Sequence, residues 1–127
     1  MTTNIDEEKK KIIIIEDNIE SQLIYKVYLR TNYTVEFADT GERGLELIKE
    51  NEYDLLLLDI NLPGELNGED VLQIIRNDLK ITKFPVIVIT AYALKGDKEK
   101  FLQMGANNYL SKPVEKHFLL KEIAKFI

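Results

Sequence analysis

The chain has 127 residues, 45% of them hydrophobic, which is one domain's worth and enough to bury a core. A formal charge of −5 argues against a nucleic-acid binder, which would show a basic face, and the absence of cysteine excludes disulfides and thiolate metal sites. The longest apolar runs are four residues, too short for a membrane span, and the polar start "MTTNIDEEKKK" lacks the apolar stretch of a secretory signal.

Residues 1–10 read as a polar, flexible lead-in to one domain over residues 11–127. Within that domain short apolar runs alternate with longer amphipathic ones. "KIIIIE" (11–16) predicts a first strand, apolar on both faces, and "IESQLIYKVYLR" (19–30) a first helix capped by Asn18. "TVEFA" (34–38) is a weaker alternating strand, followed by a helix over Gly41–Glu50 with Asp39 or Thr40 as its cap. "LLLL" (55–58) is a third strand, and helical spacing resumes over Glu69–Leu79. "PVIVIT" (85–90) is a strong fourth strand with Pro85 at its first residue, where a missing N–H is tolerated. Lys95–Met104 reads as a helix ended by Gly105, "NNYLS" (107–111) as a short fifth strand, and Val114–Phe126 as a last helix. Five strands alternating with five helices predict an α/β, flavodoxin-like doubly wound parallel sheet in the order 2-1-3-4-5, with the weak second strand at its edge.

Ligands of such sheets bind outside the carboxyl ends of the strands, so the residues that follow each strand carry the chemistry. They are Glu16 and Asp17 after the first, Asp59 after the third, Thr90 after the fourth and Lys112 after the fifth. Each alone has a plain structural explanation: Asp17 and Asn18 are helix-capping types, Asp59 can open a turn, and Lys112 can be a solvated surface lysine. Together they crowd three carboxylates at the centre of a sheet, an arrangement that calls for a cation. All-oxygen ligands with room for water suit Mg²⁺. A carboxylate beside Mg²⁺, an ammonium and a hydroxyl is equipped to accept a phosphoryl group, with Asp59 as nucleophile, Lys112 on a phosphoryl oxygen and Thr90 donating to another.

The motifs "IIIIEDN", "LLLLDINLPG", "VIVITAYA" and "NNYLSKPV" resemble those of response-regulator receiver domains, and the likeness spans residues 10–127. It implies that Asp59 is the phosphoacceptor and that Asp17 and Asp59 bind Mg²⁺ through their side chains, Glu16 through water and Asn61 through its backbone carbonyl. It further implies that Tyr109 changes rotamer with Thr90 on activation and that Lys112–Pro113 is a cis peptide. Two departures stand out: "GELN" between Pro63 and Gly68 is one residue longer than the family's usual turn, and the acidic pair opens with Glu16 rather than Asp.

The function expected from the resemblance is a cytoplasmic signalling module of a two-component system or phosphorelay, not a turnover enzyme. It would take its phosphoryl group from a histidine kinase or histidine phosphotransfer protein docked near the first helix, and present a changed surface to a downstream protein. A stand-alone regulator and a receiver excised from a hybrid histidine kinase both fit, since the chain ends after the fifth helix with no effector. A haloacid-dehalogenase-type phosphatase is the enzymatic alternative, but its nucleophile follows the first strand and is trailed two residues later by an Asp, where Asn61 stands here. A phosphorylation-silent binding module is disfavoured because no site group is missing, and a flavin site because no phosphate-cradling loop follows the first strand. His117, the only histidine, lies on the last helix away from the rim and is read as structural or exposed.

The first helix has more apolar residues than one sheet face can cover with a stripe of about 100°. Ile19, Leu23 and Val27 form a stripe widened by Ile24 and Tyr28, and Tyr25 with Leu29 forms a second pair beyond it. The expectation is that Tyr25 and Leu29 are the surplus, packed on a neighbouring helix or exposed to meet the phosphodonor.

Overall fold

A computed structural model describes residues 9–127, so the expected lead-in lies, over residues 1–8, outside the described residues. The apolar runs form strands β1 (Lys11–Ile15), β2 (Thr34–Ala38), β3 (Leu55–Asp59), β4 (Val86–Thr90) and β5 (Asn108–Ser111). All pair in parallel in the order β2-β1-β3-β4-β5. The helices are α1 (Ile19–Leu29), α2 (Gly41–Glu50), α3 (Gly68–Gln73), α4 (Asp97–Gln103) and α5 (Lys116–Ala124).

Because side chains alternate across a strand, the central strands feed two cores. Ile13, Ile15, Leu56, Leu58, Val86 and Val88 pack with Leu45 and Ile48 of α2, Val71 and Leu72 of α3, and Phe101 of α4. Ile12, Ile14, Leu55, Leu57, Ile87 and Ile89 pack with Tyr25 and Leu29 of α1 and with Leu119 and Ile123 of α5. Each such side chain contributes about 1.5–3 kcal/mol on burial. β2, half-buried along most of its length, is the edge.

Local signals set most helix starts. Asn18 Oδ1 accepts from the Ser21 N–H at 2.9 Å, and Thr40 rather than Asp39 caps α2, accepting from the Arg43 N–H at 3.1 Å. α4 begins at Asp97, two residues later than expected, because Gly96 takes φ +89°, and α5 begins at Lys116 because Glu115 caps it, accepting from the His117 N–H at 2.6 Å. Val114, expected to open that helix, instead packs in the second core, and His117 is exposed at the start of α5. Gly105 closes α4 with φ +107°.

The helix expected over 69–79 is α-helical only to Gln73 and continues as a wider turn over Ile74–Asp78, in which the Leu79 N–H reaches Ile74 O at 2.8 Å. On that turn Arg76 donates to three oxygens: Ile81 O at 2.8 Å, Gly105 O at 2.9 Å and Asn107 Oδ1 at 3.0 Å. It ties the end of this segment to the beginning of β5.

α1 overturns the expectation about its faces. Tyr25 and Leu29 are the pair that meets the sheet, Leu29 at 0% exposure, while Ile19 at 71%, Leu23 at 57% and Val27 at 55% face outward. A helix apolar around most of its circumference does not encode which arc turns inward. The arc is set by where the chain enters and leaves: Asn18 caps the helix beside β1, and the Tyr33 N–H bonds Leu29 O as the chain turns back toward β2. Leu29→Glu is therefore expected to unfold the domain, since it buries an unpaired carboxylate at a cost of about 4 kcal/mol or more, whereas Val27→Glu should shift stability by less than about 1 kcal/mol. Urea unfolding midpoints of the two variants check this, and equal shifts would refute the orientation of α1.

Candidate functional site

Asp59 ends a strand whose every residue is buried, which fixes its backbone, and it is itself buried. The Asn61 N–H donates to Asp59 Oδ1 at 3.1 Å, an Asx turn that orients the carboxylate. The chain then loops through "GELN", with Gly64 at φ +87° and the Leu66 N–H held by Glu42 Oε1 at 3.0 Å. It returns so closely that a Cβ on Gly68 would stand 2.2 Å from Asp59 O. The Gly68 N–H bonds Ile60 O at 2.9 Å, so the longer turn is absorbed without displacing Asp59 from the strand end.

β1 and β3 are neighbours, with Ile15 abreast of Leu58, so Glu16 and Asp59 emerge side by side. Glu16 is 1% exposed and fully engaged: Oε1 accepts from Lys112 Nζ at 2.5 Å and Oε2 from the Asn18 N–H at 3.1 Å. Gln22 Nε2 also donates to the Glu16 carbonyl, at 2.6 Å. Lys112 reaches across from the end of β5 and donates to Asp59 Oδ2 as well, at 3.0 Å. Burial is the largest influence on Glu16 and raises its pKa above the usual carboxylate value, against the Lys112 ammonium and the Asn18 N–H. For Lys112, burial opposes the charge, but its hydrogen bonds to Glu16 and Asp59 outweigh that and hold its pKa up. Tyr25 packs beside this group, and burial pushes its phenol up to about 12.

Asp17 is exposed, and no other described residue bonds its carboxylate. One oxygen each from Glu16, Asp17 and Asp59 lies within 4.8 Å of the others. Hard oxygen donors so grouped, two of them buried, fit Mg²⁺ and give nothing that a soft metal would prefer. On the β4 side, Thr90 Oγ1 is buried and accepts from Asn61 Nδ2 at 3.3 Å and from the Tyr92 N–H at 3.1 Å. Tyr109 stacks on Phe101 at 5.7 Å and donates its hydroxyl to Asp97 Oδ2 at 3.4 Å; burial and Asp97 raise its pKa. The Lys112–Pro113 peptide is cis.

Every expected site residue thus reaches one rim: Glu16, Asp17, Asp59, Asn61, Thr90 and Lys112, with Tyr109 behind Thr90. Missed from the sequence were Gln22, the tight contact of Gly68 with Asp59, and Asp97 as the partner of Tyr109. A glycine opening a helix just after a Pro-Gly turn was the one available signal, for Gly68; the other two depend on tertiary placement.

The sequence profile of the response regulator receiver domain matches residues 12–124. The polar-differentiation response regulator DivK of Brucella ovis is 33% identical over 119 residues, spanning 93% of this chain and 96% of DivK. A CheY-like response regulator receiver domain from Methanospirillum hungatei superposes with a TM-score of 0.83 at 31% identity, over 92% of each chain. The receiver domain of a sensor histidine kinase from Pseudomonas aeruginosa, whose structure holds a magnesium ion coordinated in the active site cleft, superposes with a TM-score of 0.81 at 31% identity, over 93% of this chain and 97% of its own.

Among the described residues Lys112 is the one cation bonded to this carboxylate cluster, so Lys112→Met leaves two buried carboxylates uncompensated. Without magnesium the variant should lose about 3 kcal/mol of stability at neutral pH. Burial already holds the Glu16 pKa above its ordinary value, and losing the ammonium raises it further, so the deficit should be smallest below 4.5, that ordinary value, and grow as the pH rises. Urea titrations across that range test the sign; a pH-independent deficit would refute it.

Proposed function

The chain belongs to the response regulator receiver family, and on that premise we propose that it is the phosphoacceptor of a two-component system or phosphorelay, with Asp59 taking a phosphoryl group from a partner's phosphohistidine. One observation carries this reading: Lys112, anchored on β5, bridges the Glu16 and Asp59 carboxylates at the ends of β1 and β3, with Asp17 open beside them.

In the transfer a carboxylate oxygen of Asp59 forms a bond to phosphorus, the P–N bond of the donor breaks, and the electron pair leaves with the imidazole nitrogen. The Lys112 ammonium meets one phosphoryl oxygen and the Thr90 hydroxyl another, so charge on the phosphoryl group is compensated on two sides. Asp17, Asp59 and the Asn61 carbonyl would hold magnesium directly. Glu16, whose two oxygens are already engaged, would reach it through water. Bound there, magnesium supplies electrostatic neutralisation of the phosphoryl oxygens.

The chain acts as a signalling domain in the cytoplasm and not as a turnover phosphatase: the residue two beyond Asp59 is Asn61, an amide that cannot serve as a general acid or base. Among the described residues no helix is long and apolar enough to cross a membrane. The donor, a histidine kinase or histidine phosphotransfer protein, meets the exposed stripe Ile19, Leu23, Ile24 and Val27 of α1, which starts beside the site. The signal passes to a downstream protein through the Thr90–Tyr109 side of the rim.

Incubation with acetyl phosphate and Mg²⁺ should add one phosphoryl group to the wild-type chain and none to Asp59→Asn; undiminished labelling of that variant refutes the assignment. Asp17→Asn, at an exposed position, should leave the urea midpoint within about 0.5 kcal/mol of wild type while weakening magnesium binding in calorimetry. Thr90→Ala should still be labelled but respond less around Tyr109 to beryllofluoride in NMR. Wild-type shifts there would break the coupling between the two residues.

A further inference from the structure

Tyr25 is a buried residue of α1 packed against the site. It is 5% exposed, and with Ile14, Leu57 and Ile89 it borders Glu16 and Asp59 in a space too tight for water. Its other side forms a wall of a separate cleft of ≈ 350 Å³, shared with Tyr28, Ala91, Lys112 and Pro113. Among the described residues Tyr25 is the one that lines both spaces.

Among the described residues no fully buried side-chain nitrogen or oxygen lacks a hydrogen-bond partner. Among the described residues the Tyr25 hydroxyl has no such partner, so it is not sealed in the core, and Tyr25 lines the same cleft as Lys112. A packing role alone would be met by phenylalanine; a free hydroxyl on a side chain this buried is surplus to packing.

Lys112 offers the complementary vacancy. An ammonium has three N–H donors, and here two are used, on Glu16 and Asp59. To meet a phosphoryl oxygen on Asp59 the ammonium must shift, and the Glu16 bond is the one it can release, since Glu16 keeps the Asn18 N–H. A part-buried N–H left without an acceptor is unfavourable. A neutral oxygen can take it without adding negative charge beside the phosphoryl group.

Resting on the phosphoacceptor reading of Asp59, we propose that Tyr25 is a positioning residue for the transfer: its hydroxyl accepts the third N–H of Lys112 when the ammonium leaves Glu16 for the phosphoryl group. Tyr25 neither gains nor loses a proton. The bonds made and broken remain O–P to Asp59 and the donor's bond to phosphorus.

Tyr25→Phe removes the oxygen and keeps the ring. Its urea midpoint and its magnesium affinity by calorimetry should equal those of wild type, while labelling by acetyl phosphate at saturating Mg²⁺ should slow about tenfold, as expected for one hydrogen bond to a charged group. The ammonium ¹H–¹⁵N signal of Lys112 in the beryllofluoride complex should move as well. A wild-type labelling rate overturns the proposal, as does an unmoved Lys112 signal. A slowing matched by lost stability or lost magnesium affinity also overturns it, because Tyr25 would then be a packing residue. Failure of the wild-type chain itself to take label defeats the phosphoacceptor reading and this proposal together, an outcome distinct from a defect confined to Tyr25→Phe.

Discussion

The Lys112 ammonium is the interaction on which the rest depends. It joins carboxylates 96 and 53 residues away along the chain, and both are buried at the centre of the sheet. Parallel topology makes the meeting unavoidable: β1 and β3 are neighbours, so their terminal acids come abreast, and β5 ends on the same rim. One cation among three carboxylates is enough to let the fold form but leaves the cluster short of positive charge. That shortage leaves buried negative charge uncompensated, which costs stability and fits the cation and the phosphoryl group of the proposed function.

The two sides of the rim are built differently. On the β1–β3 side, Glu16 is held by Lys112, by the Asn18 N–H and, through its carbonyl, by Gln22, so its geometry is over-determined. On the β4 side, Ala91 to Gly96 are exposed, Tyr92 and Leu94 included, and α4 is a short helix begun by a left-handed glycine. Its ties to the rest are the Lys100–Glu69 pair at 3.2 Å, the long Tyr109–Asp97 hydrogen bond and the packing of Phe101. A segment with so few buried contacts opens at low free-energy cost. The far end of α4 is anchored instead, where Arg76 bonds Gly105 O and Asn107 Oδ1.

α1 shows how function and packing divide one surface. Leu29 and Tyr25 satisfy the sheet, and the outward stripe of Ile19, Leu23 and Val27 is apolar area that the fold does not use. Single exposed apolars are ordinary, but with Ile24 four lie along one helix edge beside the rim, which is the surface the proposed function assigns to the donor.

By itself the sequence determined the strands, their parallel order and the group of polar residues at their ends. Runs such as "IIII" and "LLLL" can be buried only on both faces of a sheet, and Glu16, Asp17, Asp59, Thr90 and Lys112 follow those runs directly. The caps at Asn18 and Thr40 were equally legible, because a cap is a contact between residues three apart. Tertiary structure alone decided which arc of α1 faces inward, where α3 widens around Arg76, and which carboxylates Lys112 takes. Those outcomes depend on the positions of elements dozens of residues apart, and the chain's local periodicity carries no information about such distances.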